Sequence, residues 1–150
     1  MERFPLPLKA ELSIRGSQAR LLGGFVYQDP EHGAVQVPTG FKTDFASVRP
    51  LRTIAWTLLG ASLAVGVVWA EVGACIGSLG YGALALYASV VGYGDAAATI
   101  HDRLYTTGEL SRKASDKVFF NALCSSGVAR WRAWLMWCGV RLAGRQRYQR

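Results

Sequence analysis

The residues in this chain best suited to chemistry lie within one short stretch, Asp95-Ala96-Ala97-Ala98-Thr99-Ile100-His101-Asp102-Arg103-Leu104-Tyr105. His101 and Tyr105 are four apart, so on a helix they share a face, and Asp102 and Tyr105, three apart, are also neighbours. Further on, Asp116 falls on the same helical stripe as Phe119, Phe120 and Leu123. A carboxylate on an apolar face is costly unless something pairs with it. His101 or Tyr105, across a pair of helices, is the natural partner. Such a pairing would make His101 a general base, with Asp116 fixing its tautomer and stabilising the imidazolium formed when it takes a proton. Asp102 would be left to bind a metal. Calcium favours oxygen ligands, and Asp44 is a further candidate ligand. The same residues also suit a buried polar knot that only fixes helix packing. Ser47 is a remote candidate for a nucleophile with His101 and Asp116, but no nucleophile elbow surrounds it.

The elements that would position these groups fall into three regions. In residues 1–50, Gly24 to Tyr27 and Ala34 to Val37 are short β-prone runs. Asp29-Pro30-Glu31-His32-Gly33 between them is a turn, with Pro early and Gly supplying a positive φ. Thr43 to Ser47 is a further extended piece, and His32 is expected in solvent. In residues 95–150 Asp95 caps a helix that runs to about Thr106 and ends at Gly108. A second is capped by Ser111 and ends near Gly127, and a third spans about Val128 to Ala143. On the third, Val128, Trp131, Trp134, Leu135, Cys138 and Leu142 form one stripe, flanked by Arg130, Arg132, Arg141 and Arg145. Tryptophan and leucine beside arginine suit a helix lying among lipid headgroups, which makes Trp131, Trp134, Arg130, Arg132 and Arg141 membrane-binding candidates.

Between these regions the chain is almost free of charge. From Thr53 to Gly94 the one charged residue is Glu71. Ile54 to Ala70 and Val72 to Val91 both reach the roughly 17–25 apolar residues that cross a bilayer. Small residues such as Gly60, Gly66, Gly73, Gly77 and Gly80 let two helices approach closely. The expectation is a transmembrane helical hairpin over 53–94 with Glu71 near its tip. Arg49 and Arg52 precede it; Arg103, Arg112 and Lys113 follow it. The positive-inside rule then puts both ends in the cytoplasm.

Composition agrees. Charged residues make up 18% of the 150 and hydrophobic residues 51%, while the formal net charge is +7. A soluble domain carries about 25% charged residues. A basic balance suits nucleic acid or an anionic membrane face. The arginines border apolar stripes, and no phosphate-cradling loop, zinc finger or recognition helix is evident, so membrane lipids are the expected partner rather than nucleic acid. Cys75, Cys124 and Cys138 form no C-x-x-C pair, which argues against a zinc site or disulfide framework. The first residues, MERFPLPLKAEL, lack the apolar core of a signal peptide.

Two resemblances add to this reading. Gly24-Phe25-Val26-Tyr27, the run Val37 to Val48, Ala97 to Tyr105, Ser111 to Asp116 and Gly127 to Trp131 together resemble an uncharacterised family of tailed-phage and prophage proteins, catalogued as domain of unknown function 1353. The family usually has Pro-Arg after Ser-Val, where this chain has Arg49-Pro50, and a short link where this chain has its apolar stretch. The resemblance implies a phage or prophage origin and brings no activity. More locally, His101-Asp102-x-x-Tyr105 with its alanine-rich lead-in and Asp116 after it resembles the catalytic segment of phospholipase A2 enzymes. That likeness implies that His101 activates water, Asp102 holds calcium, and Tyr105 and Asp116 support His101. Gly92-Tyr93-Gly94 is the one candidate for the glycine-rich calcium loop.

The expected architecture is a single α+β domain over 1–150. A small N-terminal β meander packs on C-terminal helices, with the apolar hairpin inserted between them. Two functions follow: a phage- or prophage-encoded lipid ester hydrolase at the host inner membrane, or a non-enzymatic virion, lysis-accessory or exclusion protein working with phage or host membrane proteins.

Overall fold

A computed structural model describes residues 2–12, 18–43, 49–144 and 148. The chain is α+β and divides into two compact units, one made of Met1–Ser47 with Gly92–Arg150, the other of Val48–Val91.

In the first unit five short strands come first: β1 (Ala10–Leu12), β2 (Ala19–Leu21), β3 (Phe25–Asp29), β4 (Gly33–Val37) and β5 (Lys42–Thr43). They form two separate antiparallel pieces rather than the one meander expected. One is a three-stranded sheet in the order β1-β2-β5, the other a β3-β4 hairpin with Phe25 opposite Val37 and Asp29 opposite Gly33. The break has a local cause. Gly23 and Gly24 interrupt the β-prone sequence between β2 and β3, and glycine weakens a strand.

The β3-β4 turn forms where Pro and Gly place it. Asp29 Oδ1 accepts from the backbone N–H groups of Glu31 and His32, both at 2.9 Å. The side chain thus mimics a turn hydrogen bond, and Gly33 takes the positive φ of 78°. His32 is exposed, as expected, with its Nδ1 3.1 Å from Asp29 Oδ1.

Three helices complete this unit: α3 (Asp95–Thr107), α4 (Arg112–Ser125) and α5 (Arg130–Ala143), numbered after the two helices of the other unit, α1 (Arg49–Gly66) and α2 (Ala70–Val90). Ser111 caps α4, its hydroxyl accepting from Ala114 N. Gly108 closes α3 in the left-handed region. Asp95 is inside the first turn of α3, not its cap; Gly94 occupies that position with φ 81°. An acid in the first turn still favours the helix N-terminus. β3 lies against α4, and β4 and β5 lie against α3. Phe25, Tyr27, Val37, Ile100, Leu104, Val118, Phe119 and Leu123 fill the core between them. On α5 the buried positions are Ala133, Met136 and Val140, so the stripe carrying Trp131, Trp134 and Leu142 is left exposed.

In the second unit α1 and α2 pack against each other and are joined by residues 67–69. Gly73 meets Gly66, Gly77 meets Ser62, and Gly80 meets Leu59. The partner number falls on α1 as it rises on α2, so the pair is antiparallel. The break comes a few residues earlier than expected, and Glu71 stands in the first turn of α2, next to the connection. α2 is long and apolar enough to cross a membrane, by length and composition. The helices touch through backbone. A Cβ on Gly73 would lie 2.5 Å from Gly66 Cα, and Ser62 Oγ donates to Gly73 O at 2.7 Å. Gly73→Ala should therefore force the helices apart and cost about 1–3 kcal/mol. A spin label at Leu63 and one at Cys75 should read a longer distance. Gly82→Ala is the control: its methyl meets nothing within 4 Å, so it should leave the distance unchanged.

Candidate functional site

Helix α3 sets His101 and Tyr105 one turn apart on its buried face, and α4 brings Asp116 opposite. Asp116 is wholly buried and His101 is 5% exposed. His101 Nε2 lies 3.0 Å from Asp116 Oδ1, and the Tyr105 hydroxyl donates to the same oxygen at 2.5 Å. The imidazole is held between rings, with centroids 4.0 Å from Tyr105 and 4.8 Å from Phe119. Among the described residues Nε2 carries the one hydrogen bond of this ring. With Nε2 donating to Asp116, the lone pair resides on Nδ1.

The other oxygen of Asp116 belongs to α5. Arg141 Nη1 donates to Oδ2 at 2.8 Å. Arg112 Nε sits 3.8 Å from the same oxygen, too far for a hydrogen bond but close enough for charge attraction. Arg112 also donates through Nη2 to Arg141 O, tying the two arginines together. Burial opposes ionisation of Asp116, but the hydrogen bonds from His101, Tyr105 and Arg141 outweigh it. The carboxyl is held below its usual range. Burial first, then the facing carboxylate, push the Tyr105 phenol above its ordinary value, so it remains a donor.

The sequence-derived residues separate into groups. His101, Tyr105 and Asp116 come together as expected. Asp102, next to His101 in sequence, points elsewhere on α3: its Oδ2 accepts from Thr43 Oγ1 at 2.5 Å, tying β5 to α3. Asp44 and Ser47 lie outside the described residues. Calcium takes six to eight oxygens. Of the two carboxylates expected to hold it, Asp102 is the one within the described residues, and no group of three His, Cys, Asp or Glu side chains gathers among those residues. Of the membrane candidates, Trp131 and Trp134 are 53% and 56% exposed, and Arg130 is exposed. The Arg132 guanidinium stacks between the rings of Tyr93 and Trp131, 4.6 and 5.0 Å from their centroids. Arg141 differs from the rest, because its guanidinium serves Asp116. Sequence reasoning missed Arg112 and Arg141 as partners of Asp116. The first was findable, since Arg112 and Asp116 are spaced i, i+4 on one helix. The second is 25 residues away and has no local signal.

These elements define an α+β module whose sequence is interrupted by a helical hairpin, with a His-Asp-Tyr-Arg cluster on a buried carboxylate across α3, α4 and α5. The model of the family described as Protein of unknown function (DUF1353) matches residues 19–69 and 82–140, and the chain belongs to that family. The unmatched internal stretch is 70–81, the first half of α2, so most of the apolar segment lies within the family pattern rather than outside it. No curated protein and no solved structure matches the chain.

Proposed function

We propose that this protein, phage- or prophage-encoded, is held in a membrane by the α1-α2 hairpin and hydrolyses lipid esters with His101 as general base. The observation that carries the reading is the convergence of His101 Nε2 and Tyr105 Oη on one oxygen of a buried Asp116. Asp116 orients the ring with Nδ1 as its basic nitrogen. Nδ1 takes a proton from water as the water oxygen attacks the acyl carbon, and that proton then passes to the departing alcohol oxygen. Membrane residence is supported by the 21 residues of α2 and by large apolar side chains exposed on both helices, among them Trp56, Leu63, Leu79 and Tyr81. Glu71 beside the connection would emerge on the far face, and the arginine-bearing ends would stay on the cytoplasmic side of the host inner membrane.

A second reading has its own observation. Asp116 accepts from His101, Tyr105 and Arg141, and its carboxylate is sealed from solvent. In that reading the cluster bolts α3, α4 and α5 together in a non-enzymatic virion, lysis-accessory or exclusion protein. Fatty-acid release from mixed anionic liposomes separates the two. The purified protein should release fatty acid, and His101→Ala should lower the rate by about 10²–10⁴-fold while remaining folded and bound. Running the assay with and without added calcium tests a metal requirement. No release from folded, liposome-bound wild type would overturn the hydrolase reading in favour of the second.

A further inference from the structure

A second polar feature lies away from Asp116, on the side of the first unit where the β3-β4 turn meets the end of α4 and the start of α5. A cleft of about 260 Å³ opens there, lined by Arg3, Pro30, Phe120, Asn121, Cys124 and Arg130, with the Ser125 hydroxyl at its side. We propose that this cleft binds a phosphate ester, its phosphate held by Arg3 and Arg130 and its organic part against Phe120 and Pro30.

The charge balance of the cleft points to an anion. Arg3 bonds only a neutral group, donating from Nη1 to Gln28 O at 3.2 Å. Among the described residues neither Arg3 nor Arg130 forms an ion pair. The carboxylates close by are already engaged. Asp29 takes Glu31 N, His32 N and His32 Nδ1 on Oδ1, and Asn121 Nδ2 on Oδ2. Glu31 faces Lys117 at 3.8 Å. Two guanidinium groups therefore border the cleft with neither in an ion pair among the described residues, while the nearby Asp29 carboxylate is bonded to Glu31 N, His32 and Asn121, and the planar fork of arginine suits bidentate contact with phosphate. The polar side chains are fixed in advance: Asp29 holds Asn121, and Ser125 Oγ donates to Asn121 O at 2.8 Å. Size sets the ligand class. Clefts for drug-sized molecules run to about 300–1,000 Å³, so this one suits a group the size of a lipid headgroup or a small organic phosphate.

Location favours a lipid source without requiring it. Arg130 opens α5, directly before the exposed Trp131. If α5 lies among headgroups, Arg130 is at phosphate depth. The cleft itself does not depend on the hydrolase reading, because it shares no residue with the His101 cluster.

Cys124 supplies the readout. In a Cys75→Ser, Cys138→Ser background it is the sole thiol, and its alkylation rate is measured with inorganic phosphate or with monomeric dihexanoyl phosphatidylglycerol. Either probe slowing alkylation saturably supports the site; protection by the lipid alone assigns it to headgroups, and protection by both assigns it to phosphate in general. Arg130→Gln and Arg3→Gln, both at exposed side chains, should each weaken the protecting affinity about tenfold, the loss of one charge-assisted contact. No protection by either probe overturns the proposal. So does protection that survives in the double variant, since it would arise without the arginines. His101→Ala should protect as wild type does, which keeps this outcome separate from that of the liposome assay.

Discussion

Asp116→Ala should cost this protein about 3–5 kcal/mol, the usual penalty for removing one partner of a buried charge network. The loss is not the worth of one ion pair. The carboxylate is the shared acceptor for His101, Tyr105 and Arg141. Without it, a nearly buried phenol and imidazole lose their acceptor, and Arg141 and Arg112 face each other with no anion between them. Urea unfolding followed by tryptophan fluorescence measures the effect. Lys117→Ala provides the scale, because the Lys117–Glu31 pair is half open to solvent on both sides and should be worth at most about 1 kcal/mol. Equal, small effects from both variants would mean that the cluster does not hold the three helices.

The same group gives the protein an acid limit. The folded-state pKa of Asp116 is depressed, so its contribution is complete above the unfolded carboxylate value, near pH 4. It is lost as pH falls through the lower folded value, where protonation favours the unfolded chain. Stability should thus be level above about pH 5 and fall below about pH 4. Asp116→Asn should flatten part of that fall. Asp29 acts in the same direction: burial opposes its ionisation, but hydrogen bonds from Asn121, Glu31 and His32 hold it below its usual range.

What could be read from the sequence follows the range of the forces involved. Ser111, Gly108 and the Asp29–Gly33 turn act over three or four residues, and each is where the pattern put it. The need of Asp116 for partners was legible because a carboxylate among Phe119 and Leu123 cannot stand alone. His101 and Tyr105 were legible as partners from their shared face. Arg141 was not, because only the packing of α5 on α4 brings it there, and its own helix made it look like a flanking cation. The hairpin was evident from its freedom from charge, but its break was placed at Glu71, as though the charge had to leave the helix. In fact an acid in the first turn is favourable, so α2 starts before it at Ala70. The split of the strands into two pieces departs from the single meander expected, because Gly23 and Gly24 interrupt the chain between β2 and β3. For α5, sequence alone could not tell which side meets the core. Ala133, Met136 and Val140 take that side, and the larger tryptophans stay outside.

Leu79→Lys should lower retention of the protein in membranes about 100-fold, and Val68→Lys should change it little. The two positions are alike in exposure, 66% and 70%, and both substitutions trade an aliphatic side chain for the same cation. They differ in depth. Leu79 is at the middle of Ala70–Val90, whereas Val68 lies in the connection at the hairpin tip. A lysine at the centre of a spanning helix costs about 2.5–3.5 kcal/mol, and one at the interface far less. A protein whose hairpin stands in water, or against another protein, has no such depth axis. There both changes should act alike, each within about 0.5 kcal/mol if solvent-exposed. Carbonate-resistant pelleting with membranes reads the difference. Attachment through α5 does not confuse it, because arginine contacts to headgroups weaken with salt while an inserted hairpin does not. If Leu79→Lys stays in the pellet as wild type does, α2 does not cross lipid. The exposed faces of α1 and α2 must then be covered by protein, and His101 would lose its argument for acting at a bilayer.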